Sequence, residues 1–215
     1  MTPQTFDTVL NILRRAYPTW EAPAKHSDYG YVRTPYTVTI SVMLSFRTKD
    51  EVTQAAGERL FAKAHTPEAM LKLSKETIEQ LIYPVGFYRK KAQSILDISR
   101  DLIERFEGNV PDDFDTLTSI KGIGPKAAAI ILERAFGQNV VAVDTHVHRL
   151  LTMWGVLDTR TPEESFEALK HTLRDDQKKD LNRLLVAFGQ TICRPQKPHC
   201  ESCPVVAFCN EAKAT

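Results

Sequence analysis

Four cysteines at the end of the chain restrict its fold more than any other feature. All four lie in the last 23 of 215 residues, as Cys193, Cys200, Cys203 and Cys209. A disulfide framework spreads its cysteines along the chain, whereas clustered cysteines in a reduced protein indicate a metal site. Four thiolates bind either a [4Fe-4S] cluster or Zn²⁺. Structural zinc sites often use two separated C-x2-C pairs, and only Cys200 and Cys203 form one here, so the spacing favours the cluster.

Composition and charge set broad limits. Hydrophobic residues make up 42% of the chain, which excludes a disordered protein. The longest apolar run, Ala127 to Leu132, is far too short to span a membrane, and the first residues do not form a signal peptide. We therefore expect a soluble, cytoplasmic protein of one large domain or two small ones. The net charge of +1 neither requires nor excludes nucleic acid.

Hydrophobic spacing predicts helices over most of the chain, including residues 6–13 and 90–106. Residues 36–46 are ambiguous, because apolar side chains alternate there with Thr and Ser as in a strand. No second strand of similar quality offers a partner, so we predict a buried helix. Candidate helix N-caps are Asp50, Thr66 and Thr161, the last in a capping box with Glu164.

A glycine-rich segment, Gly122-Ile123-Gly124-Pro125, joins two predicted helices in the middle of the chain. Its glycines allow a tight turn and let backbone N–H groups approach a ligand closely. With the free N-terminus of the following helix, these groups form an anion site, and a DNA phosphate is an obvious anion for it. An ordinary turn between two helices is the alternative, and the segment alone favours neither.

Lys126 and Asp144 are the candidate catalytic residues. The helix from Lys126 to Phe136 covers ~15 Å. The segment from Gln138 to Asp144 returns ~20 Å if it is extended, which predicts that Asp144 lies near Lys126. A neutral amine is a nucleophile that forms Schiff bases, and an ionised aspartate beside it stabilises cationic intermediates. Taken singly, the lysine would be a solvated surface residue and the aspartate a helix N-cap; the pairing favours chemistry.

Together these motifs resemble endonuclease III, the iron–sulfur branch of the helix-hairpin-helix DNA glycosylase superfamily. The matching segments are Gly-Ile-Gly-Pro-Lys-Ala-Ala, then Val-Asp-Thr-His with its aspartate eighteen residues after the lysine, and finally C-x6-C-x2-C-x5-C. Leu44-Ser45 with Asp50 and the segment Gly86 to Ala92 also match, so the resemblance covers most of the chain. It implies that Lys126 and Asp144 are catalytic and that the four cysteines hold a [4Fe-4S] cluster.

The resemblance also implies an activity, that of a bifunctional DNA glycosylase and AP lyase of base excision repair. The damaged pyrimidine is flipped out of duplex DNA. Lys126 then attacks C1′ and displaces the base, Asp144 assists, and the Schiff base leads to β-elimination of the strand. Two alternatives stay open: a glycosylase for alkylated or deaminated bases, and a non-catalytic iron–sulfur DNA-binding protein. The second needs neither Lys126 nor Asp144 at this placement.

Several positions that match DNA-contacting residues of the family depart from its pattern. Arg47 stands where the family supplies a Gln that fills the gap left by the flipped base; it either contacts DNA or pairs with Asp50. Phe87 matches a hydrophobic wedge and is otherwise a core residue. The remaining candidate DNA contacts are Lys121, Gly122 and Gly124 in the hairpin and Arg194 and Lys197 in the cysteine loop. The charged ones otherwise serve solubility.

The implied fold is all-α, with two helical domains and a DNA-binding cleft between them. Residues 29–138 form the central domain with the helix-hairpin-helix motif, and residues 1–28 plus 139–215 form the iron–sulfur domain. The expected partner is double-stranded DNA that contains damaged pyrimidines or abasic sites. We expect a monomer that associates with the nucleoid and with no membrane.

Overall fold

The structure, a computed structural model, describes residues 1–22, 30–209 and 211. In the sequence, the breakers Pro23, Gly30 and Pro35 predict a loop over residues 20–35, and part of this loop lies outside the described residues. Every regular element of the described chain is helical, which confirms the all-α prediction. The α-helices are α1 Pro3–Ala16, α2 Pro35–Ser45, α3 Asp50–Phe61, α4 Pro67–Met70, α5 Lys75–Ile82, α6 Tyr88–Phe106, α7 Phe114–Ser119, α8 Pro125–Phe136, α9 Thr145–Met153, α10 Pro162–Thr172, α11 Asp175–Lys178 and α12 Leu181–Thr191. Short 3-10 turns include Tyr17–Thr19, Cys200–Ser202 and Val206–Phe208.

Contacts divide the chain into two compact units. One comprises Met1–Ser27 and Asn139–Thr215, and the other comprises Asp28–Gln138. The hairpin between α7 and α8 belongs to the second unit, and all four cysteines belong to the first. No helix of the described residues is long and apolar enough to cross a membrane.

Helix α2 is the centre of unit 28–138. Eight of its eleven residues are buried, and it packs against α3, α6 and α8. Two of its hydroxyl side chains donate to carbonyl oxygens one turn earlier in the same helix, Thr39 to Pro35 at 2.8 Å and Ser41 to Thr37 at 2.7 Å. Because these bonds satisfy buried hydroxyls locally, a helix can bury the Thr and Ser that alternate with apolar residues. The predicted buried helix is confirmed.

The predicted N-caps have mixed outcomes. Thr66 and Thr161 cap α4 and α10 as predicted, each accepting a backbone N–H three residues ahead. Asp50 does not cap α3, because it is the first helical residue and Lys49 is the N-cap. The capping box is also wrong, since the Glu164 carboxylate accepts from the backbone N–H of Arg160 at 2.8 Å.

Helices α9 and α12 form the core of the other unit. Gly189 on α12 lies so close to α9 that a Cβ there would meet the His146 ring. The Phe188 ring lies 5.9 Å from Trp154 and 5.6 Å from Trp20 between ring centroids. Helix α1 packs on α12 through the apolar face that its spacing predicts, with Phe6, Val9, Leu10 and Leu13 all buried. This core supports both the Asp144 end of α9 and the cysteine loop after α12.

Candidate functional site

The hairpin presents the exposed N-terminus of α8. Ile120 and Ile123 are buried, and the backbone N–H of Ile123 donates to the Ile120 carbonyl oxygen at 3.0 Å to close the turn. Gly122 has a φ of +101°, a conformation that a side chain rarely tolerates. Lys121, Gly122 and Gly124 are exposed. The buried isoleucines thus anchor a turn whose glycines and helix N-terminus face solvent, as an anion site requires.

Lys126 projects from the first turn of this helix. Its side chain is exposed, while the following residues of α8, from Ala127 to Leu132, are all buried. The Lys126 Nζ lies 5.8 Å from the centroid of the Phe46 ring. The amine therefore stands on a rigid helix, beside the segment that follows α2.

Asp144 caps α9, as the sequence predicts. Its Oδ1 accepts from the backbone N–H groups of His146 and Val147, both at 2.9 Å. The side chain is half-buried, and the cap engages one carboxylate oxygen. Asp144 belongs to the unit that contains the cysteines and Lys126 to the other, so their approach stays a prediction.

Arg47 and Phe87, both candidate DNA contacts, meet in unit 28–138. The Arg47 guanidinium carbon lies 5.6 Å from the centroid of the Phe87 ring. Both residues have left-handed backbones, with φ of 53° and 58°. Phe87 is 57% exposed, so its alternative as a core residue is wrong. An exposed aromatic ring can stack on bases, and a guanidinium group over that ring can bind phosphates.

Sequence reasoning missed the lysine that supports this pair. The Lys91 Nζ donates to the carbonyl oxygens of Leu44 (2.7 Å) and Phe46 (2.6 Å) and to the Thr48 hydroxyl (3.2 Å). Burial lowers the pKa of Lys91 to about 8. The sequence holds one signal for it, because Lys91 precedes Ile95 by four residues and so lies on the buried face of α6.

The four cysteines surround one space. All are free thiols, and all line a cavity of about 320 Å³, a volume that includes its opening to solvent. Its other walls include apolar side chains such as Trp154, Phe188 and Val205. Burial raises the pKa of the Cys203 thiol. Among the described residues, no three His, Cys, Asp or Glu side chains are arranged to hold a metal ion. The four thiols thus share one largely apolar cavity.

Arg149 is a second contact that the sequence did not reveal. From α9, its guanidinium donates to the Cys193 carbonyl oxygen at 2.5 Å and approaches the Cys193 sulfur at 3.5 Å. It therefore connects the helix that Asp144 caps with the first cysteine. Arg194 and Lys197 are exposed in the cysteine loop, and the Arg194 Nε donates to the Gln190 carbonyl oxygen at 3.1 Å. Both are available to an anionic partner.

Comparisons with known proteins identify the family of this chain. Residues 40–175 match the family model of the HhH-GPD superfamily base excision DNA repair protein. Endonuclease III of Thermotoga maritima is 44% identical over 175 residues, which are 81% of this chain and 82% of that relative.

Two solved structures have the same fold. A non-covalent endonuclease III–DNA complex matches with a TM-score of 0.86 and 31% identity, covering 100% of this chain and 98% of that one. A trapped endonuclease III–DNA covalent intermediate matches with a TM-score of 0.86, 30% identity and the same coverage. With the family model spanning more than half of the chain, the protein belongs to the HhH-GPD superfamily of base excision DNA repair proteins and, within it, to the endonuclease III family.

Proposed function

We propose that this protein removes oxidised pyrimidines from duplex DNA and then cleaves the strand, with Lys126 as the nucleophile and Asp144 as its carboxylate partner. Membership of the endonuclease III family makes it a DNA glycosylase and AP lyase of base excision repair. The observation that carries the assignment is the exposed Lys126 amine on the first turn of α8, directly after the glycine hairpin.

The proposed chemistry uses one amine for two steps. The Lys126 Nζ attacks C1′ of the damaged nucleotide, and the base leaves with the electron pair of the glycosidic bond. The displacement leaves an aminal at C1′. The nitrogen loses a proton and the C1′–O4′ bond breaks, which opens the sugar ring to a Schiff base and leaves O4′ as a hydroxyl on C4′. The Schiff base acidifies the C2′ proton, whose removal expels the 3′ phosphate by β-elimination. The Asp144 carboxylate stabilises the positive charge that develops at the sugar in the first step.

The proposed DNA surface combines an anion site with a wedge. Gly122, Gly124 and Lys121 bind backbone phosphates at the N-terminus of α8, as the dipole of that helix favours. Arg47 and Phe87 enter the duplex beside the flipped nucleotide. Arg194 and Lys197 add phosphate contacts from the cysteine loop. In this proposal residues 29–138 form the hairpin domain, and residues 1–28 with 139–215 form the iron–sulfur domain of a monomer.

A [4Fe-4S] cluster held by Cys193, Cys200, Cys203 and Cys209 is part of the proposal. Four free thiols that line one largely apolar cavity match the four-cysteine ligand set of such a cluster. Sulfur ligands of a cluster accept hydrogen bonds, and the Arg149 guanidinium beside Cys193 provides a donor for one. When bound, the cluster would contribute to the folding of the loop after α12.

Borohydride trapping tests the proposed function. The full-length protein is incubated with duplexes that each carry one lesion: an abasic site, an oxidised pyrimidine, an alkylated base or a deaminated base. We expect a covalent adduct with the first two, and none with Lys126→Gln. The exposed Lys72 of the same unit provides the control, since Lys72→Gln should keep trapping. Undiminished trapping by Lys126→Gln would exclude Lys126 as the nucleophile.

A further inference from the structure

The side chain of Lys91 closes the C-terminal end of α2. The last carbonyl groups of a helix have no partner within the helix and carry its negative dipole end. The Lys91 ammonium reaches from α6 to two carbonyl oxygens in this region, those of Leu44 and Phe46, at 2.7 and 2.6 Å. A cation from another helix therefore fixes the point at which the chain leaves α2.

The Thr48 hydroxyl extends this contact to a second loop. It accepts from the Lys91 Nζ at 3.2 Å and from the backbone N–H of Gly86 at 3.1 Å, and it donates to the Phe46 carbonyl oxygen at 3.2 Å. One donor and two acceptor positions are all that a hydroxyl has, so the Thr48 hydroxyl is fully used. Residues 46–48 and Gly86 are thereby held together.

The two loops touch so closely that glycine is required. A Cβ on Gly86 would clash with the Arg47 carbonyl oxygen. The residues beside this contact, Arg47 and Phe87, both have left-handed backbones, which non-glycine residues adopt only where their surroundings impose them. Their side chains meet, with the Arg47 guanidinium carbon 5.6 Å from the Phe87 ring centroid. Arg47 and Phe87 are therefore two exposed residues with strained backbones whose positions depend on each other.

We propose that Lys91 is a positioning residue that, through Thr48 and the end of α2, holds Arg47 and Phe87 as a preformed pair that enters the duplex as one body. The inference rests on the proposed function, since it assigns the pair to DNA. Lys91 itself is half-buried and turned to backbone oxygens, so its role is to orient the pair.

This role predicts unequal effects on the two activities. Extruding a base requires the pair to fill the space that the base leaves, whereas an abasic site has no base to extrude. Loosening the pair should therefore slow base removal much more than strand cleavage at an abasic site. Loss of general stability would lower both activities alike.

The test measures single-turnover rates of the full-length protein on a thymine glycol duplex and on the same duplex with an abasic site. We expect Lys91→Met to slow base removal about tenfold and abasic cleavage about twofold at most, since small misplacement of positioning groups has large effects on rate. Lys91→Arg, which keeps donors for the carbonyl oxygens, should restore most of the loss. Lys90→Met removes an exposed charge one residue earlier and should leave the ratio of the two rates unchanged.

A second pair of variants tests the same inference if the Lys91→Met protein does not fold. Thr48→Val removes the hydroxyl between the two loops. It should therefore lower the ratio of the base-removal rate to the rate of abasic cleavage, as Lys91→Met does. Thr53→Val removes a hydroxyl that donates to the carbonyl oxygen of Lys49, the N-cap of α3, and this change should leave the ratio unchanged. In a protein that already carries Arg47→Gln, the Lys91→Met or Thr48→Val change should have a smaller effect, because residues that act through one another are not additive.

The outcomes separate the inference from the proposed function. An equal loss of both activities in Lys91→Met and in Thr48→Val, or an undiminished effect in the Arg47→Gln background, would overturn the positioning role while leaving the enzyme intact. A wild-type protein without either activity would overturn the proposed function and this inference with it.

Discussion

The Nζ of Lys126 lies 5.8 Å from the centroid of the Phe46 ring, and the carbonyl oxygen of the same phenylalanine accepts a hydrogen bond from Lys91 at 2.6 Å. Phe46 thus contacts the proposed nucleophile with its ring and the proposed positioning lysine with its backbone. An aromatic face attracts a nearby ammonium group and restricts its movement. We therefore expect the segment after α2 to orient the amine of α8 as well as the Arg47–Phe87 pair.

Replacing Phe46 with leucine should separate these two roles. The change keeps an apolar side chain and the carbonyl oxygen, but it removes the ring that faces Lys126. We expect the single-turnover rate of base removal to fall about tenfold with little change in DNA affinity, because the nucleophile is less well oriented. Phe106→Leu, which removes the ring under Arg105 on α6, is the matched control. Equal effects of the two changes would refute the orienting role.

Asp144→Asn should separate capping from chemistry. Asparagine caps helices as well as aspartate does, so thermal stability should change little, whereas Asp144→Ala should cost about 1 kcal/mol. The carboxylate charge is lost in both, and base removal should slow by about 10²-fold or more. Asp113 caps α7 through the Thr116 N–H at 2.8 Å and offers a control, since Asp113→Asn should keep full activity. Full activity of Asp144→Asn would remove Asp144 from the mechanism.

The Lys91 ammonium gives a testable dependence of stability on pH. Burial lowers its pKa from 10.5 to about 8 in the folded chain. Between these values the unfolded chain holds a proton that the folded chain has released, so the free energy of unfolding rises with pH. The wild type should therefore gain stability relative to Lys91→Met from pH 8 to 10.5, as measured by urea unfolding. A relative loss over this range would mean that the three oxygen acceptors outweigh burial.

Local chemistry explains which parts of the fold and site were predictable. The Asp144 cap, the glycine hairpin and the end of α8 at Gly137 each depend on a few adjacent residues, and all three lie where the sequence places them. The N-cap of α3 shows the limit even for local signals. Asp50 has the residue type of a cap but lies one position inside the helix, where its charge favours the positive helix end.

Contacts between distant segments were not predictable. Helical spacing places Lys91 on the apolar face of α6, but it does not show which groups the ammonium contacts, because that depends on how α6 packs against α2. The pairing of Arg47 with Phe87 needs two loops forty residues apart in sequence to meet. The contact between Arg149 and Cys193 likewise joins residues on separate elements. Tertiary packing, which no local pattern encodes, sets all three.

The cysteine loop should depend on Arg149 as well as on its thiols. Protein purified anaerobically should contain roughly four irons per chain. We expect Arg149→Met to lower iron retention and soluble yield, because it removes the donors to Cys193 and leaves its carbonyl oxygen without that partner. Arg183→Met, which removes a surface pair with Asp180 in the same unit, should change neither. Stoichiometric zinc without iron in the wild type would contradict the cluster.

Arg47→Gln tests the departure of this chain from the family pattern. The Arg47 guanidinium is exposed over the Phe87 ring, so in the proposed complex it would reach the DNA that the wedge enters. We expect the glutamine variant to bind a lesion duplex more weakly and to show a salt slope smaller by about 1, as expected when one phosphate-directed charge is lost. It should also discriminate better between opposing bases, because a glutamine amide is a more selective partner than a five-donor guanidinium. Affinities at two salt concentrations, for two opposing bases, measure all three effects.

Arg33→Gln, which removes an exposed arginine that donates to the Arg134 carbonyl oxygen at 3.5 Å, is the control. If Arg47 serves only as an ion-pair partner for Asp50, then affinity, salt slope and base preference will stay unchanged, and thermal stability will fall slightly.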